Sequence, residues 1–291
     1  RTENCRNLFN RMDAADRALL PFDTERVDWR HYWLDVHLPG LERWVFPHLE
    51  TTGPKRVPIN RDYRDLAELF SSRVKEHGRR VAYRVVREGD VADSFTYRDV
   101  RRAARSVAGY IDDAGLGRGD RIMLLSEGRP EWGMSYFGIV TSGATCVPVD
   151  VELSRAEIEN IAKSSGAKAM IVSPKQQQEL QKEQNGHAFP VPMWTFDSIF
   201  EKAHSFDPDE EFKGVKRKPE DVASILFTSG TTGRPKGVVL SDRNFTALTA
   251  RMSALFELSK TDSLLSVLPP HHTFEFSAGM LMPLAAGASV T

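Results

Sequence analysis

Residues 223–240 read ASILFTSGTTGRPKGVVL, and the residue types in that stretch are those of an anion-binding loop. Glycine lets backbone N–H groups turn toward a ligand with no Cβ in the way, and successive N–H groups then form a concave nest for an anion. Gly230 and Gly233 are spaced to do this. The hydroxyls of Thr228, Ser229, Thr231 and Thr232 add donors that rotate to suit. Lys236 adds a compact positive charge, with Arg234 a second one nearby. Together these groups make a pocket for a polyphosphate. The spacing is not that of a Walker A loop, because Lys236 is preceded by Pro235 and followed by Gly237. The bland alternative is a flexible hairpin with a chance lysine. A plain hairpin, however, needs neither four hydroxyls nor three glycines between two apolar runs. His271 and His272 are a second candidate pair. In an extended segment adjacent side chains point to opposite faces, so only one of the two can face a site.

These groups need elements to hold them. Residues 224–227 and 237–240 predict buried strands on either side of the loop. Ser241 then predicts an N-cap, and Phe245, Leu248, Met252, Leu255 and Phe256 a helix whose apolar stripe faces the core. Upstream, residues 81–86 and 95–97 predict strands and residues 97–114 a helix that ends at Gly115. An alternation follows. Residues 121–125 read as a strand, 130–142 as a helix opened by Pro130, and 144–149 as a strand. Residues 154–165 read as a helix with a capping box from Ser154 and Glu157, and 168–172 as a strand. Strand and helix in alternation with short connections predict an α/β fold, parallel sheets covered by helices with right-handed crossovers. Residues 175–187 read as an exposed helix or loop, and residues 204–221, mixed in charge, as a solvated connection.

Composition bounds the rest. The 291 residues carry 39 Lys and Arg against 40 Asp and Glu, a formal net charge of −1. That balance argues against a nucleic-acid protein acting by bulk phosphate neutralisation, so no nucleic-acid partner is expected. No apolar run approaches the ~18 residues of a transmembrane helix, and no signal peptide is evident. Cys5 and Cys146 are far apart without metal-type spacing. No metal-ligating residues are assigned, and a reducing, cytoplasmic setting is favoured. The chain divides at a Pro/Gly-bearing linker into residues 1–60 and 61–291. In the first part Trp29, Trp33 and Val36 lie at helical spacing, as do Leu41, Trp44 and Val45, with Pro39-Gly40 breaking the two runs into two short helices. Packing onto a neighbouring domain is the first reading of those helices, and peripheral membrane contact the alternative. The start at Arg1 without a Met and the stop at Thr291 inside an apolar run lead us to expect a fragment of a longer polypeptide.

The ten residues from Thr228 to Gly237 resemble the signature loop of the AMP-forming acyl-activating enzymes at every position. This superfamily comprises acyl-CoA synthetases, peptide-synthetase adenylation domains and luciferases. Residues 95–100 (FTYRDV), 141–150 (TSGATCVPVD) and 268–275 (LPPHHTFE) resemble its first, second and fourth core motifs, in order. The resemblance covers residues 61–291 and not 1–60. It implies the front part of the large N-terminal domain of an acyl-adenylating enzyme. It further implies ATP, Mg2+ and coenzyme A as cofactors, and a two-step reaction. A carboxylate is first adenylated, and the acyl group then passes to coenzyme A or to a carrier-protein pantetheine. On the same basis Thr228, Ser229, Gly230, Thr231, Thr232, Gly233 and Lys236 cradle the phosphates. His272 orients the acyl carboxylate, with His271 as the competing assignment, and Phe274 lines the acyl site. Asp242 stands where many relatives have His, a departure expected to affect capping only.

The form of the fourth motif, Leu268 to Glu275, is more similar to medium- and long-chain fatty acyl-CoA synthetases than to amino-acid adenylation domains. The apolar Met280, Leu281, Met282, Leu284 and Ala285 suit a lipid tail and equally a buried helix. Asp28-Trp29, Tyr32 and residues 37–41 are loosely similar to tail regions of fatty-acyl reductases, which implies a multidomain chain. The family's adenine, ribose and late-lysine motifs do not occur in the 291 residues, so this chain alone is expected to bind ATP weakly and not to turn over. A non-catalytic nucleotide or acyl binder is the competing class.

Overall fold

The structure is a computed structural model that describes residues 62–182, 187–201, 203–207, 214–228 and 236–291, with His31, Asp35 and Leu38–Trp44. Contacts divide the chain into two units, Arg1–Val57 and Pro58–Thr291. In the first unit α1 (Leu38–Trp44) is a helix of seven residues. Pro39 and Gly40 lie within its first turn and do not separate two helices. Proline is tolerated there because the N–H it lacks would have no intrahelical partner. Trp29 and Trp33 lie outside the described residues.

The second unit is built on a six-stranded sheet. Its strands are β3 (Arg121–Leu125), β4 (Thr145–Val149), β5 (Ala169–Val172), β6 (Met193–Thr195), β7 (Val222–Thr228) and β8 (Lys236–Ser241), in the order β6-β5-β3-β4-β7-β8. All neighbours are parallel except the β7–β8 hairpin at the edge. The two-residue period sends Ile122, Leu124, Cys146, Ala169 and Ile171 to one core cluster and Met123, Leu125, Val147, Met170 and Val172 to the other. A parallel sheet is buried on both faces, so its strands read as continuous apolar runs. The first cluster is completed by α2 (Leu66–His77), α3 (Tyr97–Asp113), α4 (Pro130–Thr141) and the short α7 (Phe196–Phe200). The second is completed by α5 (Arg155–Ser165) and α6 (Pro174–Lys182).

Caps decide where these helices begin. Ser154 accepts from the Glu157 backbone N–H while Glu157 accepts from Ser154 N at 2.9 Å, the expected capping box. The same device ends the strand expected over residues 95–97 at Thr96, one residue early. Thr96 N donates to Asp99 Oδ2 at 2.8 Å, so Thr96 caps α3 and Tyr97 is helical.

A second, four-stranded sheet has the order β2-β1-β10-β9, from β1 (Val81–Arg87), β2 (Asp90–Thr96), β9 (Ser263–Leu264) and β10 (Ser289–Val290). The chain reaches β10 through a π-helix, Glu275–Leu281, and α9 (Met282–Ala286). Phe276 locks this segment to the first sheet's helices, 4.2 Å from the Tyr136 ring centroid and 5.2 Å from that of Phe245. Met280, Leu281, Met282, Leu284 and Ala285 are all buried. They lie in a buried helical segment, and Met280 also faces a cleft.

Three further expectations change. Residues 237–240 are not a buried strand: β8 is the sheet edge, and Val239 is 58% exposed. In α8 (Asp242–Leu255) only Phe245 of the expected stripe is buried. Leu248, Leu255 and Phe256 are exposed because no described element covers that face beyond the first turn. The segment 204–221 is not wholly solvated, because Arg217 within it is 2% exposed.

Candidate functional site

The loop-bearing hairpin pairs Val222 with Ser241, Ser224 with Leu240, and so on to Thr228 opposite Lys236. Lys236 is exposed at the start of β8. The two ends of the signature loop are therefore adjacent across the ladder, as a loop closing on one ligand requires. Ser229, Gly230, Thr231, Thr232 and Gly233 lie outside the described residues.

The open end of this hairpin is held by groups that sequence reasoning undervalued. Arg217 Nε donates to Asp242 Oδ2 at 2.8 Å, and both side chains are almost fully buried. Arg217 also donates to the carbonyls of Val222 at 3.0 Å, Ala144 at 3.2 Å and Val140 at 3.3 Å. Asp242 Oδ1 accepts from Leu66 N at 2.9 Å. Burial pushes the Asp242 carboxyl above its usual range and outweighs the opposing pull of the Arg217 guanidinium. Asp242 is thus a buried ion-pair partner and not only part of a helix start. Ser241 does cap α8, donating from N to Asn244 Oδ1 at 2.8 Å. The only advance signal for the pair was the departure at Asp242. Arg217, set among alternating charges, gave none.

The two histidines do not lie on a strand. Pro269 and Pro270 set a turn in which His272 N donates to Pro269 O at 3.0 Å, and the two rings lie 4.8 Å apart at 33°. They are neighbours, not opposed across a sheet. His271 is the more enclosed, its side chain 10% exposed, with Nε2 3.5 Å from Asp150 Oδ2. Its Nδ1 is buried with no hydrogen-bond partner among the described residues. Burial holds the His271 imidazole below its ordinary range; Asp150 opposes that shift and His272 adds to it. His272 and Phe274 are exposed.

A cleft of about 730 Å³ is lined by β1, by residues 126–131 at the start of α4, and by residues 265–271, which approach from the second sheet's side. A volume of that size admits a small-molecule ligand. His271 lines it, whereas Lys236, His272 and Phe274 do not. Its charged groups are mutually satisfied at one end. Arg129 donates to both Glu131 oxygens, at 2.7 and 2.9 Å, and lies 3.5 Å from Glu127. Burial opposes ionisation of Glu131, but the Arg129 hydrogen bonds hold it below the usual carboxylate range. The Tyr83 phenol, fully buried at the cleft floor, is pushed up by desolvation. Among the described residues, no group of three or more His, Cys, Asp or Glu side chains could hold a metal ion.

A parallel sheet covered on both faces, a hairpin whose paired strands flank the Gly/Ser/Thr segment and a ligand-sized cleft define an α/β domain. The family follows from the comparisons. Residues 70–291 match the AMP-binding enzyme family, and the chain belongs to it. It is 27% identical over 231 residues to 4-coumarate–CoA ligase 3 of Oryza sativa subsp. japonica, covering 77% of this chain and 41% of that protein. It is 29% identical over 192 residues to an oxalate–CoA ligase of Arabidopsis thaliana, covering 64% of this chain and 37% of that protein. The chain thus spans about two fifths of the length of these relatives. Among solved structures, the inhibitor-bound N-terminal domain of FACL13 from Mycobacterium tuberculosis superposes with a TM-score of 0.69 at 24% identity. That match covers 78% of this chain and 57% of that domain, and it shows the shared fold.

Proposed function

We propose that this chain is the front part of an AMP-forming acid–thiol ligase, with residues 61–291 a partial adenylate-forming domain and residues 1–60 an extension. The observation that carries the reading is the signature loop set between β7 and β8, with Lys236 registered opposite Thr228. In the first step a carboxylate oxygen attacks the α-phosphorus of ATP. The bond from that phosphorus to the bridging oxygen breaks, and pyrophosphate leaves with the charge. Donors already aimed at that charge stabilise the transition state without reorganising. We assign this work to the backbone and hydroxyls of Thr228, Ser229, Gly230, Thr231, Thr232 and Gly233 and to the ammonium of Lys236. Mg2+ carried on the phosphates would neutralise part of the same charge, and the described residues offer no metal cage in its place. In the second step a thiol gives up its proton to solvent, its sulfur bonds to the acyl carbon, the bond from that carbon to the phosphate oxygen breaks, and AMP leaves. The thiol is coenzyme A in our reading. His272 is the residue we assign to orienting the carboxylate, with Phe274 beside it.

The acid we propose is a medium- or long-chain fatty acid, on the form of Leu268 to Glu275 alone. The relatives' names, 4-coumarate and oxalate, supply the competing acids. A cytoplasmic setting rests on cysteine usage alone. Among the described residues no helix is long and apolar enough to cross a membrane.

The test is acid-dependent exchange of labelled pyrophosphate into ATP by the longer polypeptide we expect, with palmitate, decanoate, 4-coumarate, ferulate and oxalate. Product analysis follows with coenzyme A and with a pantetheinylated carrier protein. Exchange with a fatty acid and a CoA thioester product supports the reading. Exchange only with an aromatic or dicarboxylic acid replaces the substrate class, and acylation of the carrier alone replaces the acceptor. No exchange with any acid sinks the ligase reading and favours a non-catalytic binder.

A further inference from the structure

The strand that carries Lys236 has little in its own sequence to fix its register. Strand register is set where one face is buried and the other is not, because a one-residue slip would exchange the faces. In β8, Lys236, Gly237, Val238 and Val239 are all exposed, and Val238-Val239-Leu240 shows no alternation. Slipping by one residue exposes no core residue of these four, yet it would carry the Lys236 ammonium to the opposite face of the sheet. Leu240 packs against the first core cluster and favours one face at that end of the strand; for the four exposed residues before it, another feature must hold the pairing.

The base of the hairpin supplies one. Arg217 binds the carbonyl of Val222, the first residue of β7, and the carboxylate of Asp242, the residue immediately after β8. Asp242 N donates to Asp221 O at 3.0 Å, which ties the same two points through the backbone. Asp242 in turn takes the Leu66 N–H at the start of α2, and Arg217 the carbonyls of Val140 and Ala144 at the end of α4 and the approach to β4. Arg217 therefore spans the entry of one strand and the exit of the other, and anchors both to the rigid body of the domain. The irregularity between Val222 and Ser224 lies at this clamped end, and from Ser224 onward the pairing runs without a shift to Thr228 opposite Lys236. Gly237 adds a second check, since a Cβ there would come within 2.9 Å of the Ile225 side chain and 3.3 Å of Phe227.

We infer that Arg217 and Asp242 form a register clamp for the β7–β8 hairpin, acting as positioning residues that fix which face of the sheet Lys236 presents. The inference rests on the proposed role of Lys236 as a polyphosphate-binding cation. The clamp itself can be tested without that role.

Two measurements on the 291-residue chain separate the two. The first reads register with cysteine pairs in a Cys5→Ser, Cys146→Ser background. Ile225→Cys with Val239→Cys reports the observed pairing, and Ile225→Cys with Val238→Cys reports a one-residue slip. The first pair is expected to form its disulfide severalfold faster. Adding Arg217→Met should raise the slipped pair's yield at the expense of the native pair. Unchanged yields in a folded Arg217→Met protein overturn the clamp. The second measurement is tripolyphosphate affinity. Arg217→Met is expected to weaken it about fivefold or more. Replacing both partners with apolar residues, Arg217→Met with Asp242→Leu, removes the unpaired carboxyl and should recover part of the thermal stability lost in Arg217→Met but none of the affinity. Recovery of both together makes the pair a stability element only and overturns the positioning role. If the unaltered chain binds no tripolyphosphate, the Lys236 reading and the positioning role fall together, and the disulfide yields still decide the clamp.

Discussion

A close contact between two helices predicts opposite signs for two chemically identical substitutions. Gly138 lies in α4 against α3, and a Cβ built on it would fall 2.4 Å from Val107 Cβ and 2.8 Å from the Ala104 carbonyl oxygen. Ordinary Cβ contacts begin near 3.4 Å, so the two helices would have to part by 3.4 − 2.4 = 1.0 Å. Val107 is fully buried, and the carbonyl is backbone that cannot rotate away. Gly138→Ala gains about 1 kcal/mol of helix propensity. It meets an overpacking cost near the upper end of the ~1–3 kcal/mol range. The net expectation is a loss of about 2 kcal/mol. Gly109 lies inside α3 with nothing within 4 Å of a built Cβ. Gly109→Ala should therefore keep the propensity gain and stabilise by roughly 0.5–1 kcal/mol. Urea unfolding of the two variants and the unaltered chain, followed by circular dichroism, gives both signs from one series. A Gly138→Ala protein as stable as the unaltered chain, or two shifts of the same sign, would refute the packing argument.

Other expectations concern the site. Lys236→Ala should cut acid-dependent pyrophosphate exchange by about 100-fold or more, with the fold intact because the side chain is exposed; retention of most of the activity removes Lys236 from the phosphate cradle. His271, a base whose folded pKa is depressed by burial, binds fewer protons in the folded than in the unfolded chain as pH falls through about 6.5. Its contribution favours the fold at higher pH, so His271→Asn should lose less stability than the unaltered chain between about pH 7 and pH 5 in urea titrations. An equal or greater loss contradicts the burial argument. The 291-residue chain alone should form no acyl-adenylate detectable by mass spectrometry, because it spans about two fifths of its relatives' length. Adenylate formed by the purified chain would show that the remaining length is dispensable for the first step.

Most of the central sheet was legible because its forces are local or periodic. Residues 121–125 and 168–172 read as strands from unbroken apolar runs, and a strand buried on both faces produces that pattern. The helix at Arg155–Ser165 could be placed to the residue, because a capping box is written in two side chains three positions apart. The misreadings follow from the same logic. Residues 95–97 look β-forming by composition, yet Tyr97 belongs to the helix that Thr96 caps. Val238 and Val239 look buried by hydropathy, but their burial depends on what lies beyond the sheet edge, which no local pattern encodes.

The site divides along the same line. The loop's chemistry is legible because an anion nest needs glycines, hydroxyls and a cation within a few residues of one another. Its placement is not, because the groups that place it come from elsewhere in the chain. Asp242 touches Leu66, 176 residues away, and Arg217 reaches Ala144, 73 residues away. Neither contact has a periodicity or a spacing that could announce it. The histidine pair shows the intermediate case. Sequence could say that His271 and His272 compete for one role. How differently the two are placed depends on the Pro269-Pro270 turn, which sets the rings side by side, and on Asp150, brought to His271 by the end of a distant strand. The sheet then accounts for why one residue can be enclosed while its neighbour is exposed. His271 packs where β4 ends, at the edge of the cleft, and His272 follows it out of the turn. A role for His272 in orienting a carboxylate therefore requires the acid to approach from the exposed side of the turn and not from within the cleft that His271 lines.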